Sequence, residues 1–257
     1  MGRLDGKVAI ITGAGSGMGR TAALIFTKEG AKVVVADVNQ QAGKETVKMV
    51  KDAGGDATFV KVDVSKAEDV KNMVKTAVDT YGKVNVLYNN AAIGEQALAY
   101  TADCTEENWD KVQAVDLKGV WLCMKYAIPE IIKAGGGSII NVASQAATHG
   151  NFGLPSYTAA KGGVLSLSRG AAVEYADKNI RVNVVEPGYI STPMLMGFFE
   201  AMPEMRKKIE DGTPQHRIGK PEEVVWTVVF LASDESSHIT GAELPIDGGI
   251  TAWSHTM

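Results

Sequence analysis

The sequence predicts a doubly wound α/β fold: one parallel sheet, with helices on both faces. Three observations predict it. Short β-branched apolar runs recur between longer helical patterns, the first run ends in a glycine cluster, and no Pro-, Gly- or Ser-rich stretch interrupts the alternation as a linker would. Apolar runs that do not alternate with polar residues suit strands buried on both faces, and parallel strands joined through helices require right-handed crossovers.

The first strand is Lys7 to Thr12, followed by a helix from Arg20 to Glu29. The pattern then repeats as strand Lys32 to Asp37, helix Gln41 to Ala53, strand Ala57 to Val62, helix Lys66 to Tyr81 and strand Val84 to Tyr88. A long helical region from Glu106 to Lys133 leads to strand Ser138 to Val142, helix Pro155 to Ala176 and strand Arg181 to Val185. Leu244 to Ile246 closes the sheet as a seventh strand. The expected architecture is therefore a single doubly wound, Rossmann-type domain over residues 1–257, with ligands bound outside the carboxyl ends of the strands where the strand order reverses. A chain of 257 residues buries about three quarters of its unfolded surface in one core, so one domain suffices.

Composition narrows the function classes. A net charge of −4 with scattered basic residues argues against nucleic-acid or membrane-surface binding, which need a basic stripe. Two cysteines, Cys104 and Cys123, cannot build a disulfide framework, and the four histidines lack metal-ligand spacing, so no metal is expected. No apolar stretch reaches the roughly 18 residues needed to span a bilayer, and no signal peptide is visible. Met1-Gly2 lacks the Ser or Thr at position 6 of a myristoylation start. These features predict a cytoplasmic protein.

Between the first strand and its helix lies Thr12-Gly-Ala-Gly-Ser-Gly-Met-Gly19. Glycines there allow a tight turn and let the backbone approach a pyrophosphate, whose charge then meets the helix amides and the positive end of the helix dipole. The general Gly-x-Gly-x-x-Gly pattern fails in either register, whereas Thr-Gly-x-x-x-Gly-x-Gly fits Thr12, Gly13, Gly17 and Gly19. Asp37 ends the second strand, 18 residues beyond Gly19. A carboxylate there accepts hydrogen bonds from ribose hydroxyls and repels a 2′-phosphate, which favours NAD over NADP. No Arg or Lys stands at positions 14–18 to neutralise that phosphate. The competing reading makes Asp37 a cap for the turn into the next helix.

Tyr157 and Lys161 stand one helical turn apart, so both side chains leave one face. An ammonium favours the phenolate of a neighbouring Tyr, which makes the phenol useful for proton transfer nearer neutrality. Ser144 supplies a hydroxyl from the opposite wall. Taken alone, Tyr-x-x-x-Lys also fits an exposed amphipathic helix.

With the glycine pattern, Asp37, Asp63-Val64, Asn89-Asn-Ala-Ala92, Ser144, Tyr157-x-x-x-Lys161 and Pro187-Gly-Tyr-Ile-Ser-Thr192 in this order, nearly the whole chain resembles the short-chain dehydrogenase/reductase family. The resemblance implies an NAD-dependent secondary-alcohol dehydrogenase. It implies that Gly13, Ser16, Gly17, Met18 and Gly19 hold the pyrophosphate side of NAD, that Asp37 binds the adenosine ribose, and that Asp63 and Val64 contact adenine. Asn90, Ala91 and Ala92 pass beneath the cofactor, and Pro187, Gly188, Ile190 and Thr192 hold the nicotinamide carboxamide. Ser144 binds the substrate oxygen, Tyr157 gives or takes its proton, and Lys161 both binds the nicotinamide ribose and lowers the Tyr157 pKa. Two positions depart from the family pattern. Asp116 replaces the Asn that organises a proton-relay water: it is tolerable if the backbone carbonyl holds that water and shifts the pH dependence if the side-chain amide is needed, with activity retained in either case, and Ala92 replaces a Gly as a packing variant.

Substrate identity is expected in the loop after Ser144 and the segment after Thr192. Gln145, Phe152, Leu154, Tyr189, Met194, Met196 and Phe199 are the candidate wall, and residues 190–212 the candidate covering segment. The Met- and Phe-rich stretch from Pro193 to Met202 fits a lid over an apolar pocket and, equally, a helix packed into the core. No Arg or Lys cluster marks a carrier phosphate or a carboxylated substrate, so a neutral, fairly apolar secondary alcohol or ketone is favoured, with cyclic skeletons among the candidates. Alternatives are a 3-oxoacyl carrier-protein reductase, opposed by Asp37, and a silent NAD-binding regulator, opposed by the intact Ser144, Tyr157 and Lys161. A nucleotide-sugar epimerase calls for a longer chain and different glycine spacing. The resemblance also implies a homo-oligomer, commonly a tetramer, with the helices Glu106 to Lys133 and Pro155 to Ala176 as candidate interfaces. It brings the tail from Asp247-Gly-Gly249 to Trp253 toward an active site, its own or a neighbouring subunit's.

Overall fold

The computed structural model describes residues 2–95 and 98–254. Among them, β1 (Val8–Thr12), β2 (Lys32–Asp37), β3 (Asp56–Lys61), β4 (Val86–Asn89), β5 (Gly137–Val142), β6 (Ile180–Pro187) and β7 (Glu243–Ile246) form one parallel sheet. Its order is β3-β2-β1-β4-β5-β6-β7. The chain winds outward from β1 to β3, then returns to place β4 on the other side of β1. That reversal opens a crevice at the carboxyl ends of β1 and β4.

Alternation along each strand feeds two cores. Ala9, Ile11, Val33, Val35, Tyr88 and Ile140 face α1 (Gly17–Lys28), α2 (Gln40–Asp52) and α9 (Pro221–Ala232), where Ala22, Phe26, Val50, Val224 and Val228 meet them. Ile10, Val34, Leu87, Ile139 and Val182 face α3 (Ala67–Tyr81), α5 (Gly119–Lys133) and α6 (Pro155–Glu174). Burial on both faces is why the strands read as unbroken apolar runs, and each buried Val, Leu or Ile contributes about 1.5–3 kcal/mol.

A buried polar thread crosses the second core. The Asn89 amide donates to Asn141 Oδ1 at 2.8 Å, and the Asn141 amide donates to Ser168 Oγ at 2.8 Å. It locks β4, β5 and α6 in one register, because polar groups buried this deeply are costly unless paired.

The structure departs from the expected elements at three places. The helical region from Glu106 to Lys133 is not uniform: α4 (Glu106–Val112) passes into a π-helical segment, Gln113–Lys118, before α5 begins. Helix α1 starts at Gly17 rather than Arg20, so the last glycines of the loop form its first turn. Strand β6 runs on to Pro187 because Val184 through Pro187 pair with β7. Beyond it, α7 (Pro193–Ala201) and α8 (Glu204–Asp211) lie outside the sheet sequence.

Candidate active site

The glycine loop is shaped by close backbone approach. Gly13 has φ +62°, and a Cβ there would stand 2.8 Å from Ala91 Cα. A Cβ at Gly19 would overlap the Gly13 carbonyl. Asn90 Nδ2 donates to the carbonyls of Thr12 and Gly13 at 3.0 and 3.2 Å, while the amides of Asn90 and Ala91 donate to Thr12 Oγ1 at 3.0 and 3.1 Å. Thr12 and Asn90 thus stitch the loop after β1 to the turn after β4, a role for the Thr12 hydroxyl that its place in a motif did not reveal.

Asp37 lies at the mouth of this loop. Its Oδ2 accepts from the Gly15 amide at 2.7 Å and its Oδ1 from the Asn39 amide at 2.8 Å. The cap of α2 is Asn39, which accepts from the Ala42 amide at 3.1 Å, so Asp37 orders the turn without being the helix cap. Arg20, unremarked in the sequence, sits behind the loop and donates to the Gly15 carbonyl at 2.6 Å, Thr46 Oγ1 at 3.0 Å and Glu45 Oε2 at 3.1 Å. Asp63 accepts from the amide and hydroxyl of Ser65 and pairs with Lys66 at 3.2 Å. Val64 is buried against α5, where a Cβ on Gly119 would meet it at 2.8 Å.

Segment 187–192 leaves the end of β6 and crosses toward α1. The Gly188 amide donates to the Ile246 carbonyl at 3.0 Å, Ile190 bridges to Gly219, and Thr192 stands 3.3 Å from a Cβ built on Gly17. Residues far apart in the chain, Gly17 and Thr192, therefore face each other across the crevice.

Ser144, Tyr157 and Lys161 converge where β5 ends. Ser144 follows β5 and is hydrogen-bonded to the Tyr157 phenol; its Oγ also accepts from the Ala146 amide at 3.2 Å. Lys161 is only 1% exposed. Its ammonium donates to the Val142 carbonyl at 3.1 Å, lies 3.3 Å from Asp116 Oδ2, and stands 5.4 Å from the centre of the Tyr157 ring. Asp116, carried on the π-helical segment, is fully buried and accepts from the Ile93 amide at 2.8 Å.

Lys161 lowers the Tyr157 pKa as expected, but the net shift goes the other way. Burial pushes the Tyr157 phenol up, Lys161 pulls it down and Asp116 pushes it up again, so its pKa lies above the ordinary tyrosine value rather than near neutrality. Burial is the largest cause, and Asp116 adds to it because the ammonium that stabilises a phenolate is shared with a carboxylate. Lys161 itself has a raised pKa, because Asp116 and Tyr157 outweigh the desolvation that would lower it. Burial also raises Asp116, against the pull of Lys161 and the Ile93 amide.

The wall residues divide. Gln145 is buried and hydrogen-bonds the half-buried Tyr189 phenol. Leu154 precedes α6 and is half-buried, while Phe152 is exposed and packs edge-on against Tyr100 at 4.9 Å. In α7, Phe199 turns into the core at 5% exposure whereas Met194 and Met196 stay exposed, so the segment is partly core and partly surface rather than one or the other. Met194 Sδ stands 3.9 Å from a Cβ built on Gly94, which sets α7 opposite the loop after β4. Leu98 and Tyr100 on that loop escaped notice because isolated apolar residues in a non-periodic loop carry no pattern. The tail meets one wall residue: Asp247, Gly248 and Gly249 line a cavity of about 310 Å³ with Tyr189, Gln215 and Arg217.

A doubly wound sheet with a glycine loop at its switch point and a Ser-Tyr-Lys cluster beside it defines a nucleotide-dependent oxidoreductase class, and similarity to known proteins agrees. A family model described as Enoyl-(Acyl carrier protein) reductase matches residues 13–251. The chain is 43% identical to cyclohexanol dehydrogenase of Acinetobacter sp. over 251 residues, covering 97% of each chain. It is 42% identical to a 3-oxoacyl-acyl-carrier-protein reductase of Thermotoga maritima over 249 residues, 96% of this chain and 99% of that one. The crystal structure of levodione reductase superposes with a TM-score of 0.92 at 31% identity, over 97% of this chain and 99% of that one. The chain belongs to the short-chain dehydrogenase/reductase family, whose members use a nicotinamide dinucleotide.

Proposed function

We propose that the protein is an NAD-dependent dehydrogenase that interconverts a secondary alcohol and a ketone, acting on a neutral, fairly apolar, cyclic substrate. The observation that carries this reading is the convergence of Ser144, Tyr157 and Lys161 beside the glycine loop. The loop fits a dinucleotide: Gly13 and Gly19 leave backbone where a Cβ would clash, and Gly17, at the start of α1, faces Thr192. Gly13, Ser16, Gly17, Met18 and Gly19 would hold the pyrophosphate. Asp37 would hold the adenosine ribose, and Asp63 and Val64 the adenine. Asn90, Ala91, Ala92, Pro187, Gly188, Ile190 and Thr192 would line the nicotinamide end. NAD is favoured because Asp37 is anionic and Arg20 is already engaged by Glu45 and Thr46.

The bound dinucleotide supplies the acceptor or donor of hydride. Ser144 holds the substrate oxygen, and Tyr157 takes the alcohol proton in oxidation or returns it in reduction. Lys161 stabilises the phenolate and Asp116 opposes it, so oxidation strengthens toward alkaline pH and reduction toward lower pH. Met194, Met196, Tyr189 and residues 190–212 would cover the substrate. The apolar surface of Leu98, Tyr100, Phe152 and Met194 supports a cyclic hydrocarbon skeleton, as do relatives named for cyclohexanol and levodione. The exposed Trp109, Trp121 and Val173, on α4, α5 and α6, support a homo-oligomer with these helices at its interfaces.

The test is turnover with NAD and NADP against linear and cyclic secondary alcohols, with a 3-oxoacyl thioester in the reducing direction. Preferred turnover of cyclic alcohols with NAD, by about tenfold or more, is expected. Equal turnover with NADP sinks the Asp37 argument, a preference for the thioester favours a carrier-protein reductase, and binding of NAD without any turnover indicates a silent binder.

Two further outcomes are expected at this site. Gly13→Ala forces an L-residue into a left-handed backbone against Ala91, so NAD affinity falls at least about tenfold, read by fluorescence titration. Asp116→Asn removes the charge that opposes the phenolate. Alcohol oxidation near pH 7 then rises about 3- to 10-fold and the rising limb of the pH–rate profile moves to lower pH. An unchanged profile means Asp116 carries no charge in the working enzyme.

A further inference from the structure

Helix α6 begins without a cap of its own. Leu154 precedes it with no polar side chain and Pro155 has no amide hydrogen, while the Thr158 amide makes the first bond back, to the Leu154 carbonyl at 2.9 Å. The amides of Ser156 and Tyr157 are therefore the orphan donors that an N-cap side chain ordinarily satisfies. Glu95, on the loop after β4, satisfies both. Its Oε1 accepts from the Ser156 amide at 2.7 Å and the Tyr157 amide at 3.2 Å. Its Oε2 accepts from Ser156 Oγ at 2.5 Å and from the Asn108 amide of α4. The network is closed by Asn108 donating to Ser156 Oγ at 3.0 Å and by Gln113 of the π-helical segment donating to the Ser156 carbonyl at 2.8 Å.

We propose that Glu95 is a positioning residue for Tyr157, an N-cap supplied from the substrate-side loop that sets where the phenol stands. The proposal rests on the reading of Tyr157 as the proton-transfer group. The carboxylate lies at the positive end of the α6 dipole, and its hydrogen bonds hold it ionised below the usual range despite partial burial. An ordinary cap would come from the residue before the helix; this one comes from 61 residues upstream. The loop that carries it also carries Leu98 and Tyr100, and it is tied to the loop after Ser144 by the Ala99 amide donating to the Gly153 carbonyl at 3.2 Å. Substrate packed on that loop therefore bears on the backbone of Tyr157 through one carboxylate. The π-helical segment that presents Asp116 to Lys161 joins the same network through Gln113.

Three variants and two readouts test this. Glu95→Ala should lower kcat about 10- to 100-fold while NAD affinity stays within about twofold, since a displacement of up to about 1 Å at a reacting group has that cost. Glu95→Gln keeps an oxygen for both backbone amides but turns an NH2 toward that of Asn108, so it should lose about fivefold in kcat. The double variant Glu95→Gln/Asn108→Asp reverses the polarity of that contact and should return kcat to within about twofold of wild type. Amide hydrogen exchange at Ser156 and Tyr157 should quicken in Glu95→Ala, a readout that needs no substrate. Wild-type kcat in Glu95→Ala, unchanged exchange at those two amides, or no recovery in the double variant overturns the proposal. Failure of the underlying reading shows up separately, as Tyr157→Phe retaining turnover.

Discussion

Tyr157→Phe is expected to lower turnover of a secondary alcohol by about 10³-fold or more, with NAD affinity held within a few-fold. Removing one oxygen leaves the ring in place, so the aromatic contact with Lys161 and the packing of α6 survive. What is lost is the hydroxyl bonded to Ser144, the atom placed to exchange a proton with the substrate oxygen. Neither neighbour is a ready substitute. Ser144 alone has no base to relieve it of a proton, and the Lys161 ammonium is committed to the Val142 carbonyl and Asp116. Steady-state turnover with both cofactors, set beside fluorescence titration of NAD, separates chemistry from binding. Retention of a tenth of the activity means a water or Lys161 moves the proton instead.

The fold was legible because its strands are buried on both faces and its helices are long enough to show their period. The geometry of the candidate site was legible from spacing only where neighbours in sequence are neighbours in space. Tyr157 and Lys161 share a helix face, and Gly13 to Gly19 share a turn, so their spacing conveys their geometry. Asp116 stood out as an unusual residue, yet nothing in the sequence says that a π turn aims it at Lys161, and that pairing adds to the rise that burial gives the Tyr157 pKa. Glu95 and Asn108 were invisible for the same reason. Their partner Ser156 lies 61 and 48 residues away, and a single Glu in a loop reads as a solvated charge until the helix it caps is set beside it. Thr12 and Arg20 support the glycine loop from behind through hydrogen bonds that no local pattern encodes.

Lys161→Met is expected to abolish turnover and also to cost about 3–5 kcal/mol of stability, because it leaves Asp116 buried beside an apolar chain. The pH dependence of that loss identifies its origin. Asp116 already has a raised pKa in the folded protein, and removing the cation that pulls it down raises it further. The folded variant then holds a proton that the unfolded chain, with an ordinary carboxylate near about 3.9, has released, so stability falls as pH rises through the interval between those two values. Denaturant melts of Lys161→Met at acid and neutral pH should show the variant closer to wild type at the acid end. Adding Asp116→Asn keeps an acceptor for the Ile93 amide and removes the charge, so the double variant should regain most of the stability and lose the slope with pH, yet remain inactive. Recovery of stability without activity would separate the two tasks of Lys161: holding a buried carboxylate in place, and lending its charge to the Tyr157 phenolate. If Lys161→Met is instead as stable as wild type at neutral pH, the pair is not ionic, and the opposition of Asp116 to the phenolate falls with it.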